Sequence, residues 1–142
     1  MSSGEVNLGI LLHDMKPELQ CGEYVFCTAG DAHIREIDCA LVGAFHEAEG
    51  LTLIVARTEA DRLNMNYSHI ARMITLTVHS SLNAVGFLAT ITDRLAAHNI
   101  STNVISAYYH DHLFVPVDRA EEALAILEDI THRAQTATAP PR

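Results

Sequence analysis

Met73-Ile74-Thr75-Leu76-Thr77-Val78-His79-Ser80-Ser81 decides the reading of this chain: a strand of six residues runs into a polar triplet, and an amphipathic segment follows at once. β-Branched and apolar residues dominate Met73 to Val78, which suits a pleated, half-buried surface. From Leu82 to about His98, Val85, Leu88, Ile91 and Leu95 recur at three- and four-residue spacing, which predicts a helix with one apolar face. Asn99 is placed to end that helix in the left-handed region. Strand residues run from Ile100 to Tyr109, a turn is expected around His110-Asp111, and Leu113 to Val117 returns as a strand. Asp118 and Glu121 then open a last helix, with Ala120, Ala123, Leu124, Leu127 and Ile130 on one face. The order β-α-β-β-α is that of the ferredoxin-like split βαβ unit, so the fold class is α+β.

Upstream the same order is fainter. Leu8, Ile10 and Leu12 suggest a mostly buried first strand, and Asp14-Met15-Lys16-Pro17 a helical turn with proline in its first positions. Tyr24 to Thr28 reads as a strand closed by Gly30 and Asp31, while residues 31–39 give no clear signal. Leu41–His46 and Leu51–Ala56 form a hairpin through Glu47-Ala48-Glu49-Gly50. Thr58 with Asp61 resembles a capping pair for a short helix over Glu59–Leu63, bracketed by Asn64 and Asn66. The boundary falls near Tyr67, giving domains over 1–66 and 67–133. Residues 134–142, ending Ala-Pro-Pro-Arg, read as a disordered tail.

Composition narrows the function. Acidic residues number 18 against 9 Lys plus Arg, a formal charge of −9, and nucleic-acid partners demand clustered positive charge. No apolar run approaches the roughly 20 residues that cross a bilayer. Met1-Ser2-Ser3-Gly4-Glu5 lacks the basic-then-apolar pattern of a secretory signal. Cys21, Cys27 and Cys39 are odd in number and lack CxxC spacing, as in a cytoplasmic protein with reduced thiols. Nearly half the residues (49%) are apolar, enough for a packed core.

The chemistry-bearing candidates are few. A helix start after Ser80-Ser81 presents unpaired N–H groups and partial positive charge, which attract a carboxylate or phosphate. Gly86, read here as lying in the second turn, costs about 1 kcal/mol against alanine, and either close packing or room for a ligand would offset that. Asp111 at the hairpin turn could face a ligand's cationic group or simply brace the turn. His79, His110 and His112 could be assembled into a metal site, though solvated turn residues explain the His-Asp-His triplet without one. Tyr108 and Tyr109 should point to opposite faces of a strand, one of them into the core. No G-x-S-x-G elbow, P-loop, dinucleotide fingerprint or H-E-x-x-H is present, and Glu47 and Glu49 read as solvated charges flanking a turn. No cofactor is called for.

His79-Ser80-Ser81-Leu82-Asn83-Ala84-Val85-Gly86-Phe87-Leu88, with Leu95-Ala96, Ile100-Ser101 and Val104-Ile105-Ser106, resembles the ACT domain, the amino-acid-sensing module of aspartokinase regulatory domains. The likeness extends to small bacterial tandem-ACT proteins and to the paired ACT domains of the CASTOR arginine sensors. In the latter, Gly86–Ala89 and Ser106–Val115 match the helix start and hairpin, and Tyr24–Thr28 and Gly50–Val55 match upstream strands. The resemblance implies tandem ferredoxin-like (βαββαβ) domains with antiparallel sheets, no catalytic residues, an amino acid or related metabolite as ligand, and a homo-oligomer. Carried over by position, the ligand residues are His79, Ser80, Ser81, Leu82, Val85 and Gly86 on the loop, Asn103, Val104 and Ile105 on the facing strand, and Asp111. Asn103, Ala107 and Ser81 depart from the arginine sensors' pattern, so the resemblance does not single out arginine, and a neutral or acidic amino acid fits it as well.

Overall fold

A computed structural model of the chain describes residues 3–137. In chain order its elements are α1 (Leu8–Asp14), β1 (Pro17–Leu19), β2 (Tyr24–Thr28), β3 (Gly43–Glu47), β4 (Gly50–Ala56), α2 (Arg57–Arg62), β5 (Ile70–Leu76), α3 (Phe87–Ala97), β6 (Asn103–Ser106), β7 (Asp111–Pro116) and α4 (Ala120–Ala137). Single 3-10 turns stand at Ile34–Glu36 and Val117–Arg119. These residues group into two compact units. One is Cys21–Arg72; the other joins the described residues up to Gln20 with those from Met73 onward.

Within Cys21–Arg72 the strand order is β3-β4-β2 and then the start of β5, with Tyr24 opposite Ala71. The expected hairpin is present, with Gly43 opposite Ile54 and Glu47 opposite Gly50. Gly50 has φ +149, and a Cβ there would sit 2.7 Å from the Gly30 carbonyl oxygen, so only glycine lets the two turns meet. The core is Val25, Cys27, Leu51, Leu53, Val55 and Ala60. Between β2 and β3, where a split βαβ unit carries its first helix, the chain has only the turn at Ile34–Glu36, which accounts for the illegibility of residues 31–39. The short helix α2 starts at Arg57 after Ala56, which makes no side-chain cap, so the Thr58–Asp61 capping pair is not formed. Arg57 ties the helix start to the sheet instead, donating to Glu23 (2.9 Å) and to the Tyr67 hydroxyl (3.0 Å).

The three thiols of this unit are free, and they differ. Burial, with a lesser contribution from Cys39, pushes the Cys27 thiol up; burial, then Glu59, raises Cys39 against the opposing Arg62. A raised pKa leaves less thiolate, the reactive species, at a given pH. At pH 8 iodoacetamide should therefore modify exposed Cys21 first and Cys27 last, as read by peptide mass spectrometry. Cys27 reacting as fast as Cys21 would contradict the burial.

The other unit has the order β1-β5-β7-β6. Pro17 pairs with Leu76 and Leu19 with Ile74, so the strand that a split βαβ unit needs last is supplied by the chain's beginning. Helices α1, α3 and α4 pack together over Ile74, Leu76, Leu113 and Val115. The expected first strand at Leu8–Leu12 is a helix: the Asn7 side chain accepts from the Ile10 N–H (3.0 Å), and buried Leu11 and Met15 with half-buried Leu8 and Leu12 follow helical spacing. Nor is Asp14–Pro17 a helical turn. Met15 closes α1 in extended geometry, and Pro17 begins β1.

Four further expectations shift. Helix α3 starts at Phe87, not Leu82, and its buried face is Phe87, Ile91 and Leu95, with Val85 outside the helix and 84% exposed. Strand β6 is confined to Asn103–Ser106, and the turn is Ala107–His110, closed by Ala107 N–H to the His110 carbonyl. Tyr108 and Tyr109 sit in that turn, both exposed, so neither is core. Helix α4 continues to Ala137, which makes residues 134–137 helical; the rest of the expected tail, 138–142, lies outside the described residues. Asn99 ends α3 at φ +56 as its type suggested. Among the described residues no helix is long and apolar enough to cross a membrane.

Candidate functional site

Strand β5 ends at Leu76 and the chain coils tightly before α3, with Val78 N–H on the Leu76 carbonyl, Ser80 N–H on that of Val78 and Ala84 N–H on that of Ser81. This coil and the first turn of α3 wall a cavity of about 140 Å³ with Ser106 and Asp111. Gly86 is the N-cap of α3 at φ +91, and it offers no side chain to the helix amides. The first intrahelical bond is Thr90 N–H to the Gly86 carbonyl (3.0 Å), so the N–H groups of Phe87, Leu88 and Ala89 precede the ladder, and all three residues line the cavity. Helix α1, by contrast, is capped by its own Asn7. A glycine cap leaves the positive end of α3 open to an anion.

The opposite wall is acidic. Asp111 opens β7 opposite Ser106, and it shares the helix-facing side of the strand with Leu113 and Val115. It is 6% exposed, and within the described residues no group hydrogen-bonds or ion-pairs with its carboxylate. Its oxygens are not sealed from solvent, since they are not among the fully buried polar atoms that lack a partner, and from the cavity wall they can pair with an entering cation. Ser80 and Ser81 are also buried; Ser81 Oγ accepts from Asn83 N–H (3.1 Å).

The N-terminal segment braces the coil from outside. Glu5 N–H donates to the His79 carbonyl (2.8 Å), and Ser81 N–H donates to the Glu5 carbonyl (2.9 Å), forming a parallel bridge from Glu5 to Ser80. Leu8 of α1 lies against Gly86. The imidazole of His79 turns from the cavity to stack near Tyr109 (5.4 Å between ring centres), and Tyr109 meets Tyr108 edge-on.

Of the residues expected from sequence, Ser80, Ser81, Leu82, Gly86 and Asp111 line the cavity. His79, Val85, Asn103, Val104 and Ile105 do not, although Val104 packs on the core below it and Asn103 to Ile105 form β6. Sequence reasoning missed Ala84, Phe87, Leu88, Ala89 and Ser106. Only Ser106 had a usable signal, as the cross-strand partner of Asp111 once the four-residue turn is placed.

His112 alternates to the other face of β7, sharing a hydrogen bond with Thr75 Oγ1 (3.0 Å), which accepts from Gln20 (3.1 Å). Burial, aided by His110 and opposed by Asp111, holds the His112 imidazole below the usual histidine range. Among the described residues no three His, Cys, Asp or Glu side chains gather as metal ligands, and His79 lies with the tyrosines rather than with His110 and His112. A larger hollow, about 610 Å³, opens in Cys21–Arg72 between Phe26, Thr28, Glu47, Thr52 and Tyr67. Its carboxylate, Glu47, accepts from the Thr52 hydroxyl.

Family models described as ACT domain match residues 3–72 and 68–129. No curated protein matches the chain. Among solved structures, a Vibrio cholerae protein of unknown function is 43% identical, with 87% of this chain and 95% of that one covered and a TM-score of 0.79. An Agrobacterium tumefaciens protein is 13% identical over 82% of this chain and 89% of its own, at a TM-score of 0.66. The regulatory subunit of aspartate kinase from Thermus flavus is 7% identical over 80% and 95%, at 0.57. The last two show the fold alone.

Proposed function

The chain belongs to the ACT domain family, as two such domains in tandem, and from that premise we propose that it is a regulatory protein that binds an amino acid in the cavity before α3. One observation carries the reading: the uncapped first turn of α3 and the Asp111 carboxylate line the same small space. The ligand's carboxylate docks on the amides of Phe87 to Ala89. Binding favours whichever arrangement completes the site, which is how such a protein would influence a partner.

A thermal-shift screen of the twenty amino acids tests this. A ligand present at 100 times its dissociation constant adds about 2.7 kcal/mol of stability. Gly86→Val supplies the control. The space beside Gly86 holds only Leu8 Cδ2 at 3.6 Å, so the variant should fold, at about 1–2 kcal/mol for a side chain at positive φ. It should also lose the ligand response, because the helix start must turn to relieve the strain. A full ligand response in Gly86→Val would remove the helix start from the site.

A second reading, an assembly module without ligand, is favoured by the surface beside the cavity. Leu82, Val85, Ile105, Tyr108 and Tyr109 are exposed, and β6 ends its strand order with one edge unpaired. Both readings call for a homo-oligomer, so sedimentation velocity with and without the screened amino acids separates them.

A further inference from the structure

We propose that Cys27 and Cys39 form a redox pair: a hydroperoxide converts them to a disulfide that locks residues 37–41 onto the core of their unit.

The segment between β2 and β3 brings the two thiols together. Ile37, Cys39 and Leu41 pack against the core that contains Cys27, while Asp38 and Ala40 between them are exposed. That alternation is the pleat of an extended chain, with Cys39 turned towards the core. Within residues 38–41 no backbone group hydrogen-bonds another backbone group. Side chains of α2 hold the segment instead, through Ala40 N–H to Glu59 Oε1 (3.3 Å) and Arg62 to the Asp38 carbonyl (3.5 Å). Both bonds are long, so the segment can adjust to the close approach that a disulfide requires.

The thiols also feel each other. Burial is the main cause that raises Cys27, and a Cys39 thiolate adds to it, which sets the pair within electrostatic reach, on the order of 10 Å. Exposed Cys21 takes no part in that core. Because Cys27 and Cys39 are both raised, the pair carries little thiolate and responds only to sustained oxidant.

Cys39, the less buried of the two, reacts first. Its thiolate attacks one oxygen of hydrogen peroxide and the O–O bond breaks, giving a sulfenic acid and a hydroxide that takes up a proton. The Cys27 thiolate then attacks the sulfenic sulfur, forming the S–S bond and expelling the oxygen as water. Two thiols lose two electrons and two protons, and one peroxide is reduced to two waters. The cross-link restricts the unfolded chain, so the oxidised protein should melt at a higher temperature.

The test uses the full chain carrying Cys21→Ser. Trypsin cuts at Arg35 between Cys27 and Cys39, whereas Cys21 would share the Cys27 peptide and confuse the assignment. The folded protein is treated with hydrogen peroxide and its unreduced digest is read by mass spectrometry. The expected product is the linked Cys27–Cys39 peptide pair, two hydrogens lighter than the free thiols and separated by dithiothreitol. The melting temperature should rise on oxidation by at least about 4 °C and fall back on reduction. Cys39→Ser in the same background should show neither the link nor the rise. Cys39 carried to sulfinic acid beside a free Cys27 overturns the pairing, as do linkage only between molecules and two thiols that stay reduced. A linked pair with an unchanged melting temperature overturns the lock. Each outcome leaves the amino-acid reading where it stands, since the cavity before α3 belongs to the other unit.

Discussion

Phe87→Ala is expected to cost about 3–5 kcal/mol, the usual loss when a buried phenylalanine is cut back to alanine. Phe87 is 2% exposed and belongs to the core of the unit that holds the cavity, with Ile91 and Leu95 on the same helix face. Native domains retain only about 5–15 kcal/mol in total, so this one change would remove a large fraction of it. Because Phe87 is also the first residue of α3, the loss should fall on the site as well. The urea midpoint reads the stability, and backbone amide exchange at Leu88 and Ala89 reads the helix start. A midpoint displaced by less than about 1 kcal/mol would mean that Phe87 is not an anchor.

That prediction differs from what the sequence suggests, and the reason is instructive. Val85, Leu88, Ile91 and Leu95 are as well spaced as Phe87, Ile91 and Leu95, and periodicity alone does not choose between overlapping faces. Gly86 decides. Its left-handed φ of +91 stops a helix from passing through it, so the residues before it become a coil and the apolar face begins one residue later. The Leu8–Leu12 run reads wrongly as a strand for a similar reason. Its apolar residues are too dense to show a period, and the partners that make it a helix, α3 and α4, lie far along the chain. Where local chemistry was sufficient, the reading held. The strand Tyr24–Thr28, the hairpin ending at Gly50, the Asn99 terminator and the Ala120–Ile130 helix face all depend on near neighbours.

The candidate site divides along the same line. Ser80, Ser81, Gly86 and Asp111 carry side-chain or backbone signals that a reader can see, and the cavity is lined by all four. Its most useful donors are backbone amides of Phe87, Leu88 and Ala89, whose residue types say nothing of that role. The brace from the N-terminus was invisible too, because the parallel bridge between Glu5 and Ser80 joins residues 75 positions apart.

Gly4→Ala tests that brace. Gly4 has φ +93, and a Cβ there would stand 2.8 Å from both the His79 carbonyl oxygen and the Ser81 nitrogen. Those are backbone atoms of the coil, so neither can swing aside as a side-chain tip would. The N-terminal segment must lift, breaking the Glu5–His79 and Ser81–Glu5 hydrogen bonds. At about 0.5–1.5 kcal/mol for each of the two bonds, plus about 1–2 for left-handed strain, the expected cost is about 2–5 kcal/mol. Gly22→Ala is the matched reference. Gly22 has φ +85 with nothing within 4 Å of its Cβ position, so it should show the strain without the collision. The excess of Gly4→Ala over Gly22→Ala therefore isolates the contact between segment and coil. Since the coil walls the cavity, Gly4→Ala should also weaken the binding of whichever amino acid the parent binds, whereas Gly22→Ala leaves it intact. Equal costs in the two variants, with ligand response unchanged in both, would show that the first residues merely rest on the coil and do not set its shape.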